Sequence, residues 1–220
     1  MRNKLWILAV LLGVLMISAA GGLCLYNIRE SNEAAAFADK AVEDIKAMIP
    51  DMTDESQLPT VAVPDDDLYA EYVEETTEIV EPQDITIGDA AYCGYLALPS
   101  LGIELPVMSG WSYSDLQRSP CRYSGSAQTN DMIIAAHNYY SHFGRIGDLV
   151  TGDDIVFTDT LGQKYCYKVS YMEIIDGSDV AQMFSGEAED WDLRLFTCTL
   201  SGRSRVTIRA DLDTDKDTSE

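Results

Sequence analysis

Cations are scarce in this sequence. Lys and Arg together number 15 against 37 Asp and Glu, a formal net charge of −22. A nucleic-acid partner is excluded on that balance, because phosphate contacts require a basic surface. Histidine is scarcer still, with only His137 and His142. The five cysteines contain no CxxC pair and no zinc-ligand spacing. Internal repeats are absent, so no solenoid or propeller is expected. Charge is missing altogether from Leu5 through Ile28.

That uncharged stretch comes first in the argument. As a helix it spans about 36 Å, enough for a hydrocarbon core of about 30 Å. Arg2 and Lys4 precede it, which favours a cytoplasmic N-terminus (residues 1–4), a transmembrane anchor (5–28) and an extracellular remainder. A cleaved signal peptide is the rival reading, since Ser18-Ala19-Ala20-Gly21 offers small residues, but the run is long for such a segment. Leu23 before Cys24 argues against a lipidated cysteine.

Residues 29–86 read as a helical stalk followed by an acidic linker. Phe37, Val42, Ile45 and Ile49 recur at helical spacing and Pro50 closes the pattern. Four prolines and many carboxylates then fill residues 50–84, an extended and poorly packed composition. Residues 65–81 mix acids with Leu68, Tyr69, Tyr72 and Val73, so a lid over a groove is an alternative to a solvated linker.

From Ile87 the texture is β-rich. Short alternating or apolar runs separated by Gly and Pro predict a barrel or sandwich over residues 87–212, with short helical turns at Ser112–Gln117 and Asp179–Phe184 and a polar, disordered tail at 213–220. Outside the anchor, Cys93, Cys121, Cys166 and Cys198 could oxidise in an extracytoplasmic setting, a Cys93–Cys121 bridge included.

Chemistry concentrates in the stretch LRLFTCTLSGRSRVTIR, where Cys198 ends an apolar run and three arginines follow. A thiol at the ordinary pKa of about 8.5 is only about 3% ionised at pH 7, so a cysteine nucleophile needs a base or a cation beside it. His137 closes the strand-like IIAAH just as Cys198 closes LRLFTC, and Arg205 opens the next strand, where a hairpin turn returns it to Cys198. A cation there can also hold the oxyanion formed when a carbonyl is attacked. Arg203, Arg209 and His142 are the fallback cations and base. An inert core cysteine on a strand is the competing interpretation.

These residues resemble the sortases, membrane-anchored cysteine transpeptidases of Gram-positive cell surfaces. Leu195-Phe196-Thr197-Cys198 is similar to the family's Leu-x-Thr-Cys strand, and Arg205-Val206-Thr207-Ile208 to its arginine strand. Ala136-His137 is similar to its histidine segment, and Gly94–Pro99 with Leu105–Val107 to its first two strands. Arg194 stands where the family's first Thr is usual, and Ala136 where Gly is usual.

The resemblance implies a mainly β fold, a closed barrel of about eight strands with short helices behind an N-terminal transmembrane helix. It implies Cys198 as nucleophile, His137 as acid–base, Arg205 as substrate or oxyanion ligand, and Thr197 lining the substrate groove. Its partners would be surface proteins or pilins bearing a Leu-Pro-x-Thr-Gly-like signal, and an amine from a peptidoglycan precursor or pilin lysine. No cofactor is implied. The loop CRYSGSAQTN lacks the carboxylates by which some sortases bind calcium, so no metal is expected. The alternatives are a membrane-anchored β-rich binding or signalling module without catalysis, and a hydrolase on the same fold.

Overall fold

The computed structural model describes residues 2–49, 82–179, 181–182 and 191–214. Residues 50–81, which carry most of the expected linker and the whole of the candidate lid, lie outside these, as do most of the turn expected at 179–184 and the tail from 215.

The stretches read as anchor and stalk form one continuous helix, α1 (Arg2–Met48). Nothing between Ile28 and Ser31 breaks the backbone ladder, and Arg29 pairs with Glu33 one turn on at 2.7 Å. Its two halves differ in what surrounds them. Trp6, Leu8, Leu11 and Leu15 are exposed, and this half is long and apolar enough to cross a membrane. The other half is not a free stalk. Ala34, Ala38, Ala41, Val42 and Ile45 are buried. Their spacing makes one face, and that face packs against the sheet. Burying Val42 and Ile45 contributes about 1.5–3 kcal/mol each. Lys46 bonds Glu104 at 2.6 Å, and Arg118 lies over the Phe37 ring, which fix the register at the margin.

Nine strands follow among the described residues: β1 (Ile85–Ile87), β2 (Ala90–Leu98), β3 (Ile103–Met108), β4 (Cys121–Ser124), β5 (Met132–Ala135), β6 (Asp154–Asp159), β7 (Lys164–Asp176), β8 (Leu193–Cys198) and β9 (Ser204–Leu212). Their order is β1-β2-β3-β4-β5-β8-β9-β7-β6, and β2 pairs with β6 to close an eight-stranded barrel with β1 at its margin. Closure is tight at Gly94, whose φ is +149° and whose position leaves no room for a side chain against the Thr158 carbonyl. Ser112 caps the short helix α2 (Tyr113–Leu116) by accepting from the Asp115 amide. Two 3-10 turns, Pro99–Leu101 and Phe143–Asp148, were not expected from the sequence; in the second, Phe143 and Ile146 are buried one turn apart.

Period-two alternation sorts the strands into an inner and an outer face. Leu193 and Leu195 of β8, Met132 and Ile134 of β5, and Ile208 and Ala210 of β9 fill the barrel. On the outer face Ile133, Ala135, Ile175, Trp191 and Phe196 form a second cluster, flanked by Leu116 and Tyr123. Cys93 and Cys121 are both buried thiols, and no bridge joins them. Burial pushes both of these thiols up to about 12, which makes them inert.

Candidate active site

Two pairings bring the expected residues together. β5 and β8 are parallel, with Ile133 opposite Arg194 and Ala135 opposite Phe196. Parallel strands end on the same rim. His137 and Cys198 are each two residues beyond the Ala135–Phe196 pair, so both continue the outer face at that rim. The ladder extends past the end of β5: the Ala136 amide donates to the Phe196 carbonyl at 3.2 Å, and Thr197 Oγ1 donates to the Ala136 carbonyl at 2.8 Å. Thr197 is thus buried, and its hydroxyl ties the histidine segment to the cysteine strand.

The second pairing is antiparallel, β8 with β9, and sets Cys198 directly opposite Arg205. The Thr199 amide donates to the Ser204 carbonyl at 2.9 Å at the adjoining pair. Cys198 and Arg205 therefore occupy a non-hydrogen-bonded position, where side chains approach most closely. The two registers set Cys198 opposite Arg205 and put His137, two residues past the end of β5, at the same rim, a row by register.

Cys198 is exposed and His137 and Arg205 half-buried. No hydrogen bond joins the thiol to either partner among the described residues. Arg205 Nη1 donates to the Gly202 and Ser204 carbonyls at 3.1 and 3.2 Å, which holds the guanidinium at the turn and leaves Nε and Nη2 without a protein acceptor. A cleft of about 370 Å³ opens at Cys198, with Thr197, Leu200, Val206 and Asn138 in its walls. Among the described residues no group of three or more His, Cys, Asp or Glu could hold a metal ion.

The other candidates are placed elsewhere. Arg203 is exposed in the turn. Arg209 is bound to Glu173 at 2.7 Å, both side chains largely buried. Arg194 is fully buried with its guanidinium over the Trp191 ring and one nitrogen donating to the Gln182 carbonyl, so the departure from the family's threonine serves the segment that leads into β8. His142 is fully buried, and burial pushes its pKa down to about 4, a poor base at neutral pH.

Sequence reasoning missed what holds His137. Asn138 Oδ1 accepts from His137 Nδ1 at 3.0 Å, which leaves Nε2 as the nitrogen free to exchange a proton. Tyr139 stacks on the imidazole, with centroids 4.2 Å apart and planes 2° from parallel. The amides of His142 and Gly144 both donate to the Tyr139 carbonyl. A Cβ on Gly144 would stand 2.6 Å from the carbonyl oxygens of Asn138 and Tyr139. The adjacent Asn138-Tyr139-Tyr140 was the available signal, since two aromatics after a strand end need a surface to pack on.

The barrel has counterparts among known proteins. A solved structure of sortase C1 from Streptococcus agalactiae is similar at a TM-score of 0.50 and 24% identity, over 58% of this chain and 70% of that one. Sortase A from Corynebacterium diphtheriae is similar at 0.50 and 18%, over 57% and 62%. Both likenesses concern the fold. Sortase D of Bacillus subtilis (strain 168) is 27% identical over 107 residues, 48% of this chain, and the chain spans about half the length of that curated relative. The sortase-domain family model matches residues 96–213, from β2 past the end of β9 and through all three residues of the row. The chain belongs to the sortase family.

Proposed function

We propose that the protein is a membrane-anchored cysteine transpeptidase that cleaves a C-terminal Leu-Pro-x-Thr-Gly-like sorting signal and passes the acyl group to an amine. The observation that carries this reading is the row His137–Cys198–Arg205, created by one parallel and one antiparallel register.

The Cys198 thiolate attacks the scissile carbonyl and forms a carbon–sulfur bond. The free N–H groups of Arg205 stabilise the negative charge that develops on the carbonyl oxygen. As the carbon–nitrogen bond breaks, protonated His137 gives its proton to the departing amine. A second amine then attacks the thioester, His137 takes a proton from it, and the thiolate leaves. Water competes at this step. The exposed apolar half of α1 supports an anchor with residues 1–4 cytoplasmic and the barrel outside. Substrates on this reading are surface proteins or pilins, and the acceptor amine belongs to a peptidoglycan precursor or a pilin lysine.

The test compares wild type with Cys198→Ala on quenched sorting-signal peptides, with and without an added amine. Cleavage lost in the variant, together with amine-dependent ligation by the wild type, is the expected result. Equal cleavage by both proteins would remove Cys198 as nucleophile.

A further inference from the structure

A second cavity of about 480 Å³ lies where α1 leaves its apolar stretch. Three segments wall it: Asn27, Ser31 and Asn32 of α1, the Asn138–Ser141 segment that carries the stacked Tyr139, and Leu200 of the turn after Cys198. Asn138 and Leu200 also wall the Cys198 cleft, so the two spaces adjoin. The wall between helix and loop is braced, with Ser141 Oγ donating to the Ser31 carbonyl at 3.1 Å. None of the lining residues is charged, in a chain of net charge −22.

We infer that this cavity is the binding site for the second substrate, an amine-bearing peptide, and that the anchor helix supplies half of it. The inference rests on the acyl-transfer reading above. Asn27 and Asn32 make no side-chain hydrogen bond among the described residues, and a carboxamide presents one donor and one acceptor to a peptide group, which needs both. Tyr139 and Tyr140 add aromatic walls for the chain between peptide groups. The attacking amine must reach the thioester unprotonated. No lining residue carries a carboxylate to hold its ammonium form, and Glu30 beside Tyr139 is engaged by that hydroxyl. A peptide seated here has its free end directed to Cys198 across Asn138 and Leu200. The helix that holds the enzyme at the membrane would thereby choose the acceptor.

Full-length protein in detergent micelles tests this with two amines and one cleaved signal peptide. Triglycine is long enough to occupy the cavity, and hydroxylamine is too small to use it. Asn32→Trp fills the space from an exposed helix position, and Asn27→Trp does so from a turn earlier. Loss of two peptide hydrogen bonds and the cavity volume lowers the ligation-to-hydrolysis ratio with triglycine about tenfold. The ratio with hydroxylamine and the rate of hydrolysis stay at wild-type values. A triglycine ratio within about twofold of wild type in both variants would overturn the inference, as would an equal loss with both amines or a wild type that uses hydroxylamine but not triglycine. Failure of the underlying reaction has a different signature, the absence by mass spectrometry of any acyl adduct on wild-type Cys198.

Discussion

Replacing His142 by Leu should change how the stability of this protein depends on pH. The ring is completely buried, and among the described residues neither nitrogen makes a well-formed hydrogen bond, the Ala34 carbonyl being its polar neighbour. Desolvation dominates its chemistry and pushes the pKa from 6.5 to about 4, with the nearby His137 adding repulsion and the Ala34 carbonyl opposing weakly. The unfolded chain accepts a proton near 6.5, whereas the folded protein resists it until about 4. The stabilisation from keeping this ring neutral is therefore complete above 6.5 and drains away as the pH falls toward 4. Between pH 7 and pH 5 the loss is about 2 kcal/mol, which corresponds to about 4–8 °C in Tm for a domain of this size. Leucine keeps the volume near that of the imidazole and removes the titration. Near-UV circular dichroism of the full chain in micelles at the two pH values reads the barrel rather than the N-terminal apolar helix. Carboxylates titrate in both proteins, so the difference between the two pH-induced shifts isolates His142. Wild type should lose more Tm than His142→Leu. Parallel losses would refute a buried neutral histidine.

The arginines should separate by assay. Arg205→Ala should lower turnover about 10²–10³-fold with little change in Tm, because its free N–H groups face solvent and not a buried acceptor. Arg209→Ala should do the reverse, costing about 1–3 kcal/mol by chemical denaturation because Glu173 is left charged and largely buried. Thr197→Val, which removes the bond to the Ala136 carbonyl, should cost about 1 kcal/mol and lower kcat, while Thr197→Ser retains both. In Gly144→Ala the new methyl meets two carbonyl oxygens, so about 1–3 kcal/mol of destabilisation is expected, with the chemical shift of the Tyr139 ring moving as the loop gives way.

The residues of the row were legible because each sits at a strand end with a simple local signature. Cys198 and Arg205 flank a short turn, so hairpin geometry alone returns one to the other. His137 was harder. Alternation shows which face a residue takes but not which strand lies beside it. The β5–β8 pairing is parallel and crosses over through β6 and β7, a non-local contact that nothing in IIAAH announces. The resemblance to a known family supplied that link. The helix was legible only in halves. Apolar content marked its first part and period marked its second, but neither said that the ladder would run unbroken between them or that Ala34 to Ile45 would pack on the barrel. Small residues such as Ala34 and Ala38 carry little hydrophobic signal, yet they are what lets a helix backbone lie close to the sheet. The full burial of Arg194, with its guanidinium over Trp191 and one nitrogen on the Gln182 carbonyl, has no signal in the sequence either.

Strand β9 explains why a chain with so few cations places three of them after its cysteine. Alternation sends Val206, Ile208 and Ala210 into the barrel and leaves Arg205 and Arg209 on the same outer face. The same side chain meets different surroundings along that face. At the rim, opposite Cys198, Arg205 is half-buried and bonded only to turn carbonyls, which accept without neutralising it. Two of its N–H groups have no protein acceptor among the described residues. Four residues farther, Arg209 is walled in and bonded to Glu173. Arg203, in the turn itself, is solvated. Position relative to the rim, rather than arginine content, therefore decides which guanidinium can answer a negative charge forming beside the thiol. Moving Arg205 inward by one strand repeat would cost the site its cation even if the sequence kept all three.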